Sequence, residues 1–183
     1  MRLDLYSPGS YDPGAGLTTQ LLWFYLGDFL VQTHLIPVSG FKVWVLRRFG
    51  AEIGQNVVIK PGVKIKFPWR LKVGDQVWLG ERCWIDNLAP VTIESQVCVS
   101  QNVYLCTGNH DWSQPSFNLR LGEIYLETGC WLAANSTVGP GVRIGCGAVL
   151  TLGSAALKSL EPMGIYSGNP CQKVKTRQIG AQP

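Results

Sequence analysis

Aliphatic residues return at every sixth position over much of the chain. Each unit begins with an aliphatic residue, continues with three variable residues and then has a small one, and fourteen of the fifteen leading positions carry Leu, Ile or Val. These positions are Ile53, Ile59, Ile65, Val73, Leu79, Ile85, Ile93, Val99, Leu105, Leu126, Leu132, Val138, Ile144, Leu150 and Ala156. A second small or apolar residue lies two positions before each, which predicts a short strand with alternate side chains pointing inward. A fixed period of six is typical of a parallel β-helix, whereas the strands of a β-sandwich vary in length.

Three insertions interrupt this period. Two of them add two residues each, and the third adds fifteen. If three strands make one triangular coil, all three insertions fall between a third strand and the next first strand, so they project from one corner. The sequence therefore predicts about five triangular coils over residues 51–160, with a loop extruded over residues 106–123. Coils lie about 4.8 Å apart, so Asn87 in the second insertion and His110 in the third are predicted to be neighbours.

Two segments lie outside the repeats. Residues 1–50 form an N-terminal extension whose apolar run, LLWFYLGDFLVQTHLIP, contains Asp28 and His34 and predicts a packed or interfacial helix instead of a membrane span. We interpret His34 as structural. A second helix over residues 41–50 is predicted to cap the open first coil, and peripheral membrane contact is the alternative. Residues 161–183 are predicted to be a short C-terminal tail.

Composition narrows the class of protein. With 183 residues, 46% hydrophobic and 15% charged, the chain is predicted to form one domain with a substantial core. A net charge of +4 fits a small polyphosphate ligand better than nucleic acid. The six cysteines form no CxxC pair, and the N-terminus lacks the order of a signal peptide. We therefore expect buried thiols in a reducing compartment, the cytoplasm.

Three segments carry a resemblance to a known family. They are the corner loop TGNHDW, the preceding DNLAPVTI and the C-terminal YSGNPCQKVK. Together with the six-residue repeats, they resemble the hexapeptide-repeat O-acetyltransferases, in particular the branch assigned to exopolysaccharide synthesis of the colanic-acid type. The resemblance covers nearly the whole chain. It implies a left-handed parallel β-helix and a homotrimer with active sites between subunits. It also implies acetyl-CoA as the donor and a sugar hydroxyl as the acceptor.

The resemblance implies catalytic roles for His110 and Asn87. His110 matches the general base of the family, and a neutral imidazole is suited to take a proton from an alcohol near neutral pH. Transfer is then direct, without a covalent enzyme intermediate. Asn87 matches an asparagine that holds the acceptor hydroxyl, although Asn is also a common corner residue in any β-helix.

Four further residues are candidates for the acceptor pocket. Asp86 could hold the acceptor in place of Asn87 or orient the imidazole, and Asp111 follows the histidine directly. The sequence leaves open which carboxylate, if any, orients His110, because a backbone carbonyl would suffice. Trp112 and Phe117 offer flat faces to a sugar ring. The identity of the sugar does not follow from these residues.

The resemblance also implies a set of donor contacts. A tryptophan packs beside the donor, small residues expose backbone N–H groups that form an oxyanion hole, and tail lysines bind phosphates. Leu152 and Gln172 depart from the basic residues that relatives often carry, which removes two expected phosphate contacts. The candidate donor-binding residues are Trp131, Ala133, Ala134, Cys146, Gly147, Thr151, Lys173 and Lys175.

Other functions are also compatible with the repeats. One is acetylation of another small hydroxyl acceptor, an antibiotic or serine, and another is a non-catalytic β-helix scaffold. A zinc enzyme of the γ-carbonic anhydrase type needs three histidine ligands at each site, whereas this chain has two histidines in all. We therefore predict no metal and no nucleic-acid partner.

Overall fold

The repeat region folds into three parallel sheets that form the faces of a triangular prism. The computed structural model describes residues 1–180 and contains nineteen strands there. Face A contains β1 (Glu52–Ile53), β4 (Leu71–Val73), β7 (Val91–Ile93), β12 (Ile124–Leu126) and β15 (Arg143–Ile144). Face B contains β2 (Val58–Ile59), β5 (Trp78–Leu79), β8 (Cys98–Val99), β13 (Trp131–Leu132) and β16 (Val149–Leu150). Face C contains β3 (Lys64–Ile65), β6 (Trp84–Asp86), β9 (Tyr104–Cys106), β14 (Thr137–Val138) and β17 (Ala155–Ala156). The predicted parallel β-helix of five complete coils is confirmed.

The aliphatic repeat forms the core of the prism. All fifteen leading aliphatic positions are buried, with at most 9% of their surface exposed. Equivalent turns between faces A and B place Asn56, Gln76 and Gln96 in the left-handed region, with φ between 54° and 64°. Because Gly and Asn adopt this conformation most readily, the turns of the repeat are rich in them.

The corner between faces C and A carries all three insertions, as predicted. The first contains a short 3₁₀ helix, Pro68–Arg70. The third is not an irregular loop, because it folds into an antiparallel hairpin of β10 (Gly108–His110) and β11 (Leu119–Leu121). Backbone groups of an extruded segment need hydrogen-bond partners, and the hairpin supplies them without disturbing the six-residue phase on either side.

The C-terminal segment contains more structure than the predicted tail. Leu160 bridges Ile144, and β18 (Gly164–Gly168) pairs with β16, so a sixth coil begins on the fifth. The last strand, β19 (Cys171–Thr176), pairs antiparallel with β18. This hairpin covers the edge of face B, which would otherwise present unpaired backbone groups. Residues 181–183 of the predicted tail lie outside the described residues.

Helices cover the other end of the prism. A 3₁₀ turn (Leu3–Leu5) comes first in the chain. Further on, one continuous helix consists of α1 (Leu17–Leu22), a π-helical turn (Trp23–Gly27) and α2 (Asp28–Gln32). The separate helix α3 (Ser39–Arg48) packs against β1 and β2. No helix within residues 1–180 is both long enough and apolar enough to cross a membrane.

The contacts of α3 show how it closes the first coil. The Lys42 side chain is fully buried, its ammonium donates to the Lys60 carbonyl at 3.2 Å, and burial lowers its pKa. The Arg47 guanidinium donates to the carbonyl of Ile53. The predicted capping role of residues 41–50 is therefore confirmed. His34 lies beyond α2 in a bend and is exposed, so it is not part of the packed helix.

Candidate active site

His110 is held in one tautomer by its own hairpin. It lies on β10, half-buried, with Nδ1 2.9 Å from the carbonyl oxygen of Phe117. A carbonyl oxygen only accepts hydrogen bonds, so in the neutral ring Nδ1 carries the proton and Nε2 has the free lone pair. A backbone carbonyl, one of the partners that the sequence left open, therefore orients the imidazole.

Two aromatic rings contact this imidazole. Phe117 stacks on it with ring centroids 4.3 Å apart and planes inclined by 2°. Tyr6, from the N-terminal extension, lies at 5.9 Å with an inclination of 57°. The imidazole thus occupies one face of Phe117, which leaves only the other face for a sugar ring. No sequence pattern points to Tyr6, because no repeat connects it with the hairpin.

Asp111 pairs within the hairpin and not with His110. Its carboxylate accepts hydrogen bonds from the Ser113 hydroxyl and the Arg120 guanidinium, both at 2.5 Å. The Ser113 hydrogen bond, with Arg120 in support, lowers the pKa of Asp111. The neighbouring Trp112 is 78% exposed and available to a ligand.

Asp86 is engaged below the hairpin on face C. It is 8% exposed, accepts a hydrogen bond from the Tyr104 hydroxyl at 2.9 Å and lies 3.1 Å from the Lys66 ammonium. Burial, together with hydrogen bonds to Cys106 and Asp86, raises the pKa of Tyr104. Within the described residues, neither Asp86 nor Asp111 forms a hydrogen bond or ion pair with the imidazole.

The position of Asn87 agrees with the sequence, but its expected role does not. It lies at the corner between faces C and A and is fully buried. Its Oδ1 accepts from the Phe67 N–H at 2.9 Å, and its Nδ2 donates to the Phe67 carbonyl at 2.7 Å. Because none of the Asn87 side chain is exposed, an acceptor hydroxyl has no access to this amide. The structure therefore corrects the expected catalytic role of Asn87 to a structural one, joining two neighbouring coils.

A surface cleft of about 240 Å³ adjoins the histidine. Its walls come from the hairpin and from the same corner one coil further on: Asn109, His110, Asp111, Trp112, Arg120, Leu121, Gly122, Pro140 and Gly141. Arg120 is a member of this cleft that the sequence pattern does not predict, because only the pairing of β10 with β11 places it beside Asn109. The cleft combines an aromatic surface with charged groups, a combination suited to a polar ring.

Four donor candidates lie on face B or at its border with face C. Trp131 is 44% exposed on β13, and its indole N–H donates to the Ser100 hydroxyl at 2.9 Å. Ala133, Ala134 and Thr151 lie at the corner between faces B and C. The Ala133 N–H donates to the Leu150 carbonyl, whereas the Ala134 N–H has no partner among the described residues. Of the two alanines, Ala134 therefore has the amide available to an oxyanion.

Cys146 and Gly147 lie at the opposite border of face B, at its corner with face A. The Cys146 N–H donates to the Glu127 carboxylate at 2.8 Å, and the Gly147 carbonyl accepts from Arg177 at 2.9 Å. The structure thus does not bring these two residues to the corner that holds Ala134 and Thr151.

The tail lysines lie on β19. Lys175 pairs with Ile165, which pairs with Val149, which pairs with Trp131. Directly paired residues lie on the same side of a sheet, so Lys175 extends the outward column that contains Trp131. Lys173 forms an exposed ion pair with Glu161 at 2.8 Å.

All six cysteines are free thiols. Cys83 and Cys130 are buried, and burial raises the pKa of each to about 12. Cys146 is exposed, so the expectation that the thiols are buried does not hold for it. Within residues 1–180, no three His, Cys, Asp or Glu side chains are grouped closely enough to hold a metal ion.

Comparison with known proteins connects this geometry to a family. No family model matches the sequence. The chain is 36% identical over 170 residues to the "Putative colanic acid biosynthesis acetyltransferase WcaF" of Escherichia coli K12, and the match covers 93% of both chains.

Solved structures share the fold. A hexapeptide-repeat acetyltransferase of Vibrio cholerae in complex with acetyl-CoA has a TM-score of 0.81 and 16% identity, covering 96% of this chain and 97% of its own. A maltose O-acetyltransferase of Clostridium difficile has a TM-score of 0.78 and 18% identity, covering 98% and 99%. From its identity to WcaF over nearly the full length of both proteins, the chain belongs to the hexapeptide-repeat acetyltransferases, the enzymes that share its left-handed parallel β-helix.

Proposed function

We propose that the chain is an acetyl-CoA-dependent O-acetyltransferase that acts on a sugar hydroxyl in exopolysaccharide biosynthesis. The observation that carries this proposal is the hydrogen bond from His110 Nδ1 to the Phe117 carbonyl, which leaves the lone pair of Nε2 as a base beside a polar cleft. The name of WcaF supports a polysaccharide acceptor.

The reaction we propose is direct transfer within a ternary complex. Nε2 of His110 takes the proton of the acceptor hydroxyl as its oxygen attacks the thioester carbonyl carbon. The tetrahedral intermediate collapses with cleavage of the C–S bond, and the departing thiolate of CoA takes the proton back from the imidazolium. An amide N–H directed at the thioester oxygen stabilises the intermediate, and Ala134 has such an N–H available.

The donor site we propose follows the outward column of face B. Trp131 packs beside the pantetheine arm, Thr151 lies with Ala134 at the border with face C, and Lys175 meets the phosphates at the far end of the column. About three strand spacings of 4.8 Å separate Trp131 from Lys175, a span suited to an elongated ligand. Lys173 is a second phosphate contact once released from Glu161.

The positions of base and donor site support a homotrimer with shared sites. His110 lies at the corner between faces C and A, whereas Ala134 lies at the corner between faces B and C. About five residues of the same coil separate these corners, or roughly 15 Å at 3.3 Å per residue. Since the base must touch the hydroxyl that attacks the thioester, we infer that each site combines His110 of one subunit with the donor-binding corner of another.

Replacing Lys175 with alanine is expected to raise the KM for acetyl-CoA roughly tenfold, because a charged hydrogen bond to a phosphate is lost. We expect kcat to change little, since in the proposed site Lys175 meets the phosphates and not the thioester that reacts. The measurement is release of free CoA from acetyl-CoA with a panel of mono- and oligosaccharides. Lys158→Ala is the matched control, because this lysine is also exposed but lies at the corner between faces C and A.

The same assay decides among the functions left open by the sequence. If CoA is released with serine or an antibiotic but with no sugar, the acceptor class is wrong. If none of the acceptors supports release of CoA, and saturating acetyl-CoA leaves the unfolding temperature unchanged, the chain is a scaffold. For a binding donor, about 2.7 kcal/mol of stabilisation is expected at one hundred times Kd.

The helical cap supports peripheral membrane contact as part of the proposal. Trp23, Gly27 and Val31 form the buried side of the helix over residues 17–32. The opposite side is also apolar, with Leu22, Tyr25 and Phe29 exposed by 52%, 74% and 59%. A helix of a soluble domain normally has a polar outer face, so a partner is expected to cover this one.

Charge favours a lipid surface as that partner. Between residues 17 and 50 the charged residues are Asp28, Lys42, Arg47 and Arg48. Lys42 is buried and Asp28 is half-buried, so only the two arginines are exposed, and the Arg48 guanidinium lies over the Trp44 ring. Exposed apolar and aromatic side chains beside arginines are typical of helices that lie on anionic membranes. At 1.5 Å per residue the helix is about 24 Å long, shorter than a bilayer core of about 30 Å.

Replacing Phe29 with glutamate is expected to lower binding to vesicles of anionic phospholipid at least tenfold, because about 1.5–3 kcal/mol of apolar burial is lost. Co-sedimentation measures the bound fraction. Leu157→Glu is the control, since Leu157 is also 59% exposed but lies beyond the last full coil. Absence of vesicle binding by the unaltered protein would contradict the proposal. A change of oligomeric state in Phe29→Glu would instead assign this face to contacts between copies.

The compartment we propose is the cytoplasm. Six free cysteines agree with a reducing environment.

A further inference from the structure

The N-terminal residues 2–13, here called the strap, run across the corner that carries the three insertions. At one end the Arg2 N–H donates to the Pro115 carbonyl at the hairpin tip, at 2.8 Å. At the other end the Trp69 indole N–H donates to the Pro13 carbonyl at 2.7 Å, and the Arg70 guanidinium binds the Asp12 carbonyl. The strap therefore ties the first insertion to the third.

The hairpin that carries His110 depends on such support. It forms a separate two-stranded sheet that joins none of the three faces, with three residue pairs between its strands. Two-stranded hairpins are marginally stable in water by themselves. The strap adds a contact in the middle of the hairpin as well, because the Ser7 N–H donates to the Asn118 side-chain oxygen at 3.4 Å.

Tyr6 lies between these anchors and meets the catalytic imidazole. The hydrogen bond to Phe117 fixes Nδ1, but a single hydrogen bond does not fix the plane of a ring. Phe117 contacts the ring by stacking, and Tyr6 contacts it at an inclination of 57°. We infer that the strap is a working part of the active site, in which Tyr6 is a positioning residue that holds the His110 ring in the plane from which Nε2 takes the proton. This inference rests on the proposed role of His110.

The test compares Tyr6→Ala, which removes the ring, with Tyr6→Phe, which keeps it. With saturating acetyl-CoA we expect kcat to fall roughly 10- to 100-fold in Tyr6→Ala, since a misplaced catalytic group costs about that much. We expect Tyr6→Phe to stay within about twofold of the unaltered enzyme, and the KM for acetyl-CoA to stay unchanged in both. Leu3→Ala is the matched control, because Leu3 belongs to the same strap and is 65% exposed.

A second readout does not depend on catalysis. The chain has two histidines, so in a His34→Gln background the imidazole signals of labelled protein report on His110 alone. Tyr6→Ala is expected to shift or broaden these signals, whereas Leu3→Ala and Tyr6→Phe are expected to leave them in place.

Each outcome has a distinct meaning. Imidazole signals that are unchanged in Tyr6→Ala would overturn the inference, whatever reaction the protein performs. Loss of activity in Tyr6→Phe would make the hydroxyl a direct ligand of the substrate and would also overturn it. If the unaltered protein transfers no acetyl group but the signals move as expected, the positioning contact stands and the proposed function fails.

Discussion

Replacing His110 with alanine is expected to lower kcat by roughly 10²–10⁴, the usual contribution of a general base. The fold should remain intact, because the imidazole lies on an extruded hairpin and outside the buried aliphatic column. Binding of acetyl-CoA should also remain, because the proposed donor contacts lie on face B. The measurement is CoA release with the best acceptor, at equal concentrations of folded enzyme.

Two controls make this prediction specific. His34→Ala replaces the other histidine, which is exposed in a bend after α2, and should retain full activity. Hybrid trimers test the proposed homotrimer and its shared sites. Subunits with His110→Ala and subunits with Trp131→Ala should regain activity when refolded together, because some interfaces then join an intact base to an intact donor site. If His110→Ala retains full acetyl transfer without any other subunit type present, His110 has no catalytic role.

Replacing Asn87 with alanine is expected to lower the free energy of unfolding by about 2–5 kcal/mol, because the Phe67 N–H loses its partner and a cavity replaces the fully buried amide. The Phe67 carbonyl keeps only the hydrogen bond from the Arg70 N–H. For a chain of this size the unfolding temperature should fall by about 5–15 °C. Thermal unfolding monitored by circular dichroism measures the change.

The stability of Asn87→Ala separates the structural role from the catalytic one. Gln55→Ala is the control, since Gln55 is an exposed polar residue at a corner of the first coil and should unfold near the temperature of the unaltered protein. If Asn87→Ala unfolds at the unaltered temperature yet loses acetyl transfer, Asn87 holds the acceptor after all and the geometric argument is wrong.

The prism could be predicted from the sequence because its strands and buried residues repeat at a short, fixed period. A strand of alternating burial every six residues places each aliphatic residue above its equivalent, and the count of extra residues identifies the corner that carries the insertions. The same count placed Asn87 and His110 at one corner. It could not show which way the Asn87 amide points, because that depends on hydrogen bonds to the backbone of Phe67, one coil away.

The remaining parts of the site depend on contacts without a period. The pairing of β10 with β11 brings Arg120 to the cleft, and the strap brings Tyr6 to the imidazole across 104 residues of sequence. Neither segment repeats, so no count connects them. For the donor candidates the error is the opposite one, because residues expected to lie together are apart in the fold. The resemblance grouped Cys146 and Gly147 with Thr151, but the fold places them at opposite borders of face B.

The corner between faces C and A can change in length during evolution without changing face B. Between residues 51 and 160 every added residue lies at that corner, and the strands before and after each insertion keep their phase. Length changes there leave the stacking of face B untouched, so a lineage can rebuild the side proposed for the acceptor while it inherits the side proposed for the donor. New acceptor specificities can therefore arise in this architecture by lengthening, shortening or replacing corner loops, with no cost to the column of aliphatic residues that holds the prism together.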